Sequence, residues 1–190
     1  MNSSGRPRTV LSLFSGAGGL DLGLEMAGWS VIGQVEMDPD CVRTLELQAQ
    51  RRSRPSLVVG SRIEDVDPAA LRRELGLRRG ELTLMAGGPP CQPFTTSGLR
   101  QGLSDRRANT LFPAYLNMVD EFSPRALLIE NVDGMLSAAL QHRPLLERSR
   151  LWPTTAPFEE RKGSFLRWFL DELRETEPGL FHSYSDLRHG

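Results

Sequence analysis

The chain has 190 residues, 39% of them hydrophobic and 25% charged, and a formal net charge of −1. That composition suits one globular domain long enough to bury a core, and no apolar run approaches the length of a membrane span. The balanced charge lends no support to nucleic-acid binding, since such proteins usually carry a basic surface.

Residues 1–8 form a polar tail without the apolar centre of a signal peptide, so a cytoplasmic location is expected. Two cysteines, Cys41 and Cys91, give no disulfide framework. With three histidines and no CxxC or HxxxH spacing, no metal site is expected. The basic residues are nearly all arginine, and Lys162 is the only lysine.

The predicted elements alternate. Thr9–Phe14 is a short apolar run ahead of a Gly-rich turn and reads as a buried strand. Leu20–Ala27 reads as a helix with Leu20, Leu24 and Ala27 on one face and Gly28 as its stop. Val31–Val35 is a second strand. Asp38 and Pro39 then open a helix towards Gln50, the aspartate as N-cap and the proline at the first helical position. Cys41 falls in that helix as ordinary packing.

Leu57–Val59 is a third strand, and Asp67-Pro68 caps a short helix carrying Leu71 and Leu75. Leu82–Ala86 is a fourth strand. The stretch from Pro89 to Arg107 is a long loop, of the kind usually kept for function. A helix with Phe112, Tyr115, Val119 and Phe122 on one face follows, then a fifth strand at Ala126–Ile129. Residues 9–136 thus read as one domain. Residues 137–163 read as an irregular insertion. Residues 164–190 continue the domain, with a helix at Phe165–Leu173 and the start of a sixth strand at Leu180–Tyr184.

Strand–helix alternation predicts an α/β fold: a parallel sheet with helices on both faces. Ligands of such sheets bind at the carboxyl ends of the strands. The polar and Gly-rich clusters of the sequence fall there. Phe14-Ser15-Gly16-Ala17-Gly18-Gly19-Leu20 follows the first strand. Its glycines permit a tight turn and close backbone approach, and the next helix points its N–H groups at the ligand. Glu36 ends the second strand, about 20 residues on, where an acid can accept from ribose hydroxyls. The glycine spacing is not that of a dinucleotide site and suits a nucleoside cofactor without pyrophosphate. A strand–turn–helix with no ligand is the ordinary alternative.

Cys91 lies in Gly87-Gly88-Pro89-Pro90-Cys91-Gln92-Pro93-Phe94-Thr95. Prolines restrain the backbone around it, which holds a nucleophile in place. A polar, proline-bounded loop is a poor site for a core cysteine. Glu130 and Asn131 follow the fifth strand. Partial burial behind Leu127–Ile129 would favour the protonated acid and let Glu130 donate a proton; a plain surface acid at a strand end is the alternative. No histidine lies near these clusters, which disfavours a Cys-His hydrolase.

Together these runs resemble the cytosine carbon-5 methyltransferases. The segment Leu13–Leu20 looks like that family's S-adenosylmethionine loop, and Glu36-Met37-Asp38 like its ribose-binding acid and the adenine-packing residue beside it. Gly88-Pro89-Pro90-Cys91-Gln92-Pro93-Phe94 looks like its catalytic loop. Gly98, Gly102, Asp105, Arg106 and Leu111-Phe112 continue the likeness, and Glu130-Asn131-Val132 looks like its catalytic-acid motif.

The resemblance implies a Rossmann-like S-adenosylmethionine-dependent methyltransferase fold, incomplete at its C-terminus, acting on a cytosine flipped out of double-stranded DNA. Cys91 would add to carbon 6, Glu130 would hold the ring near N3 and the exocyclic amine, and Asn131 would support the loop. Pro90 and Gln92 flank the nucleophile, and Ile63, Gly88 and Pro89 join the cofactor contacts. Restriction–modification is the implied setting. In three places the chain departs from the family pattern. Ser61 or Arg62 stands where members often carry an Asp for the adenine amine. Thr95 replaces the usual serine. A Gln-x-Arg-x-Arg motif, a target-recognition domain and a closing C-terminal helix are absent, so a complementary chain supplying them is an expected partner. Four readings stay open: a methyltransferase portion, an inactive remnant or split subunit, a tRNA methyltransferase, and a non-catalytic Rossmann module.

Overall fold

The computed structural model describes residues 8–52, 55–89, 108–131, 133–141 and 155–176. Five strands form one sheet in the order β3-β2-β1-β4-β5: β1 (Thr9–Leu13), β2 (Ser30–Glu36), β3 (Leu57–Gly60), β4 (Leu84–Gly87) and β5 (Ala126–Ile129). Every pairing is parallel. The chain leaves β1 towards β2 and β3, then returns to the opposite side of β1 for β4. This places the reversal of strand order between β1 and β4, where open α/β sheets bind their ligands.

Helices α1 (Gly19–Met26), α2 (Pro39–Gln50), α3 (Pro68–Glu74), α4 (Ala108–Phe122), α5 (Asp133–Ser137) and α6 (Ser164–Thr176) connect and cover the strands. The expected N-caps are in place. Asp38 accepts from the N–H groups of Asp40 and Cys41, and Asp67 from those of Ala69 and Ala70. Each is followed by proline, which has no N–H to leave unpaired.

The main core lies on one sheet face. Leu11, Leu13, Val35 and Met85 from the strands meet Phe112, Tyr115, Val119 and Phe122 of α4, all fully or almost fully buried. Phe165, Phe169 and Leu173 of α6 join them, with Phe112 edge-on to Phe165 and Phe169 at 4.8 and 5.4 Å between ring centres. Such aromatic pairs contribute roughly 0.5–1.5 kcal/mol each beyond area burial. A smaller cluster of Val10, Val31, Leu84 and Ala86 occupies the other face, against Leu24 and Trp29.

Some boundaries shift. β1 stops at Leu13 because Phe14 turns into the left-handed region, and β4 begins at Leu84 rather than Leu82. The shared apolar face of α1 is not its buried face. Leu20 is 36% exposed and Ala27 is exposed, Leu24 is half-buried, and the fully buried residue of the helix is Asp21. The stretch expected to be irregular has ordered ends among the described residues: Gln141 donates to the Glu159 carbonyl, beside a 3-10 turn at Phe158–Glu160, and Gly163 donates to Ala138. The expected sixth strand at 180–184 lies outside the described residues. Among the described residues no helix is long and apolar enough to cross a membrane.

Candidate active site

A cleft of about 290 Å³ opens at the carboxyl ends of β1, β4 and β5, lined by Ser12, Leu13, Phe14, Ser15, Leu20, Gly87, Gly88 and Glu130. It sits at the reversal between β1 and β4. Its volume is at the lower end of small-molecule sites. Of the sequence-predicted residues, it gathers Phe14, Ser15, Leu20, Gly88 and Glu130 around one space.

The loop after β1 is held from several sides. Phe14 has φ of +56°, a strained setting for a side chain, costing roughly 1–3 kcal/mol. Its ring stacks on Tyr115 of α4 at 6.5 Å. The Ser15 hydroxyl lies 3.0 Å from that of Ser12 and 3.2 Å from its carbonyl. Gly18 takes φ of +85° as the N-cap of α1, and a Cβ there would stand 3.0 Å from both Gln48 Oε1 and Leu45 Cδ2. The positive φ favours glycine at that position, and an added Cβ would also have to displace those two side-chain tips. The exposed Ala17 presents its carbonyl to Gln48 Nε2 at 3.1 Å, and Gly19 begins the helix, exposed, with open space at its Cα.

Glu36 ends β2 facing this loop. Its Oε2 accepts from the Gly16 N–H at 2.7 Å, while Oε1 accepts from Met37 and Asp38 at 2.8 and 2.9 Å. A carboxylate offers about four acceptor positions, so roughly one stays available to a ligand hydroxyl. Met37 is 61% exposed beside it, an apolar surface ready to be covered. Ile63, in a 3-10 turn after β3, is buried and belongs to the main core. Arg62, which with Ser61 stands where the resemblance implies an acid, pairs with Glu64 at 2.8 Å. Burial pushes the Glu64 carboxyl up, but its own backbone N–H, the Arg62 guanidinium and the Thr110 hydroxyl outweigh this and hold it below the usual range.

Glu130 folds back over Gly88. A Cβ on Gly88 would stand 2.7 Å from Glu130 Oε2 and 2.8 Å from its carbonyl oxygen. The Glu130 N–H donates to Gly87 at 3.2 Å. The partial burial expected of Glu130 is not found: the residue is exposed, because it lies past the last residue of β5 on the open rim of the cleft. Asn131 donates through Nδ2 to the carbonyl of the buried Pro89 at 2.9 Å, two residues before Cys91. Pro90, Cys91 and Gln92 themselves lie outside the described residues.

Cys41, the other cysteine, is half-buried near the start of α2. Burial, a hydrogen bond to Asp38 and the charges of Asp38, Glu36 and Asp40 push its thiol up, which disfavours the reactive thiolate.

The model of the C-5 cytosine-specific DNA methylase family matches residues 8–145. The chain belongs to that family. Among curated relatives, this methylase-family chain is 40% identical over 129 residues to the type II methyltransferase M.AgeI of Thalassovita gelatinovora, covering 67% of the chain and 28% of the relative. It is 36% identical over 130 residues to M.AquIA of a Picosynechococcus strain, covering 68% and 50%. With M.NgoMIV of Neisseria gonorrhoeae it shares 34% over 138 residues, covering 70% and 38%. The methylase-family chain therefore spans half or less of the length of these relatives. A solved structure from E. coli, titled as a DNA modification methyltransferase encoded within a prophage, has a TM-score of 0.55 at 22% identity. It covers 90% of this chain and 38% of its own, a likeness of fold.

The sequence reading missed Asp21, Gln34, Gln48, Arg52 and Ser56. Gln34 carried a signal. A strand covered on both faces reads as near-continuous apolar residues, so a glutamine inside Ser30–Glu36 needed a buried partner.

Proposed function

We propose that this chain is the cofactor-binding and catalytic portion of a DNA (cytosine-5-)-methyltransferase that uses S-adenosylmethionine within a type II restriction–modification system. The observation carrying the reading is convergence. In a chain of this family, the loop after β1, Gly87-Gly88 and Glu130 border one cleft at the sheet's switch point, and Gly88 stands three residues before Cys91 in the sequence.

The residues present suit S-adenosylmethionine. The available acceptor position of Glu36 answers a ribose hydroxyl, exposed Met37 an adenine face, and Phe14, Ser15 and Leu20 with the loop amides the remainder. Bound there, the cofactor supplies an electrophilic methyl group. The chain does the rest. The Cys91 thiolate adds to carbon 6 of a flipped cytosine, forming a C–S bond and making carbon 5 nucleophilic. Glu130, on the cleft rim, holds the ring at N3 and the exocyclic amine. After methylation, the carbon-5 proton leaves to a base and the C–S bond breaks, freeing the thiolate. Asn131 holds the Cys91 loop through Pro89. The grip on DNA belongs to regions that these residues do not align with, on the same or a complementary chain.

The test is trapping on duplex DNA carrying 5-fluorocytosine, with S-adenosylmethionine and the target-recognition region supplied. Elimination is blocked, so a covalent adduct at Cys91 is expected in the parent and in Cys41→Ser, and none in Cys91→Ala. Absence of an adduct in the parent sinks the assignment.

A further inference from the structure

One group of buried polar residues serves neither the core nor the cleft directly. Asp21, in the first turn of α1, is wholly buried. Its Oδ2 accepts from Gln34 Nε2 at 2.6 Å. The other end of Gln34 accepts from the Ser56 hydroxyl at 2.6 Å. Ser56 in turn accepts from Arg52, just past the end of α2, at 2.9 Å. Arg52 closes the path by an ion pair with Glu25 at 3.0 Å, one turn along α1 from Asp21. The circuit starts and ends on α1 and passes through β2, the approach to β3 and the end of α2.

Stability alone does not explain it. Among the described residues, Asp21 Oδ1 is buried with no hydrogen-bond partner. Leaving a buried acceptor unpaired costs stability, whereas apolar side chains of similar shape on both partners are nearly neutral. Buried polar groups that cost stability are in some proteins retained because they specify one geometry. What this circuit specifies is the rotation of α1 about its axis relative to β2.

That rotation sets the glycine loop. Gly18 caps α1 and lies one turn from Asp21, and the Asp21 Oδ2 atom is 3.9 Å from where a Gly18 Cβ would stand. β2 therefore grips the loop twice: Gln34 from beneath through Asp21, and Glu36, two residues on, through the Gly16 N–H. Gln48 of α2 adds a third hold at Ala17.

We propose that Asp21 and Gln34 are positioning residues for the cofactor loop, with Ser56 and Arg52 fixing Gln34 in turn. This rests on the reading of the loop as the S-adenosylmethionine site. The experiment uses the double variant Asp21→Leu/Gln34→Met, which replaces both partners by apolar chains, alongside Asp21→Asn, which keeps an acceptor for Gln34 Nε2. Binding of S-adenosylhomocysteine is measured by calorimetry, with Tm and circular dichroism as controls.

The double variant is expected to keep its Tm within a few degrees and to bind more than tenfold more weakly. Asp21→Asn is expected to stay within about threefold of the parent. Binding by the double variant within twofold of the parent overturns the proposal. Should the double variant not fold, Ser56→Ala cuts the circuit away from the loop and decides the matter: a threefold or greater loss supports it, and binding within twofold overturns it. A parent that binds no S-adenosylhomocysteine sinks the cofactor reading instead. Amide exchange at Gly16 and Gly18 in the free protein then still tests positioning, with more than tenfold faster exchange in the altered chain expected and unchanged exchange overturning it.

Discussion

Two glycines with opposite surroundings separate what the site demands from what the helix tolerates. At Gly88 an added Cβ meets both the carboxylate and the backbone carbonyl of Glu130. Backbone cannot swing aside as a side-chain tip can, so Gly88→Ala must move Glu130 or β4, at about 1–3 kcal/mol, the range of overpacking. At Gly23, inside α1, nothing stands within 4 Å of the new atom. There Gly→Ala removes backbone freedom from the unfolded chain and is expected to stabilise by roughly 0.5–1 kcal/mol. Denaturant melts of both variants check the signs. Adduct formation on fluorinated DNA should fall more than tenfold for Gly88→Ala and stay within twofold for Gly23→Ala. A Gly88→Ala protein with parental trapping would falsify the close Glu130–Gly88 packing as a requirement of the site.

At the scale of elements, the N-cap of α2 carries a pH dependence. The Cys41 backbone N–H holds the Asp38 carboxyl below its ordinary value against the opposing effect of burial, helped by the Cys41 thiol and the Asp40 N–H. A folded value below the unfolded one means stability that is fully present above the unfolded Asp value of about 3.9 and lost as pH falls through the lower folded value. Asn caps as well as Asp but does not titrate. Between about pH 5 and 2 the parent Tm should therefore fall more steeply than that of Asp38→Asn; parallel curves would remove the cap from the account. This cap was legible in the sequence because Asp-Pro ahead of an apolar period is a local signal. So were the strands, as short apolar runs between turn residues, and the face of α4 carrying Phe112, Tyr115, Val119 and Phe122. The orientation of α1 was not legible. Leu20, Leu24 and Ala27 have the spacing of a core face, yet Asp21 is the buried residue, because its partner Gln34 lies 13 residues away on another element. Periodicity reads one element at a time and cannot see a bond between two.

At the scale of the whole molecule, the cleft and the core share one frame. Phe14 lines the cleft and stacks on Tyr115, and Tyr115 packs against Phe169 at 5.9 Å between ring centres. Phe169 lies on α6, more than 150 residues along the chain from Phe14. A ligand that fixes the loop after β1 therefore stabilises a surface continuous with the main core and does more than order a separate flap. Linkage gives the size. A ligand that binds only the folded state at one hundred times its Kd adds about 2.7 kcal/mol. For a chain of 150–250 residues each kcal/mol moves Tm by about 2–4 °C, so saturating S-adenosylhomocysteine should raise Tm by roughly 5–11 °C in a single transition. Nicotinamide dinucleotides should leave Tm within a degree, since the loop lacks their glycine spacing. Calorimetric scans at increasing ligand concentration distinguish the outcomes. A rising single transition with S-adenosylhomocysteine supports the coupled frame. A shift confined to one of two transitions would separate the cleft from the core. An equal response to a nicotinamide dinucleotide would favour the plain Rossmann reading, in which Glu130 and Cys91 have no part.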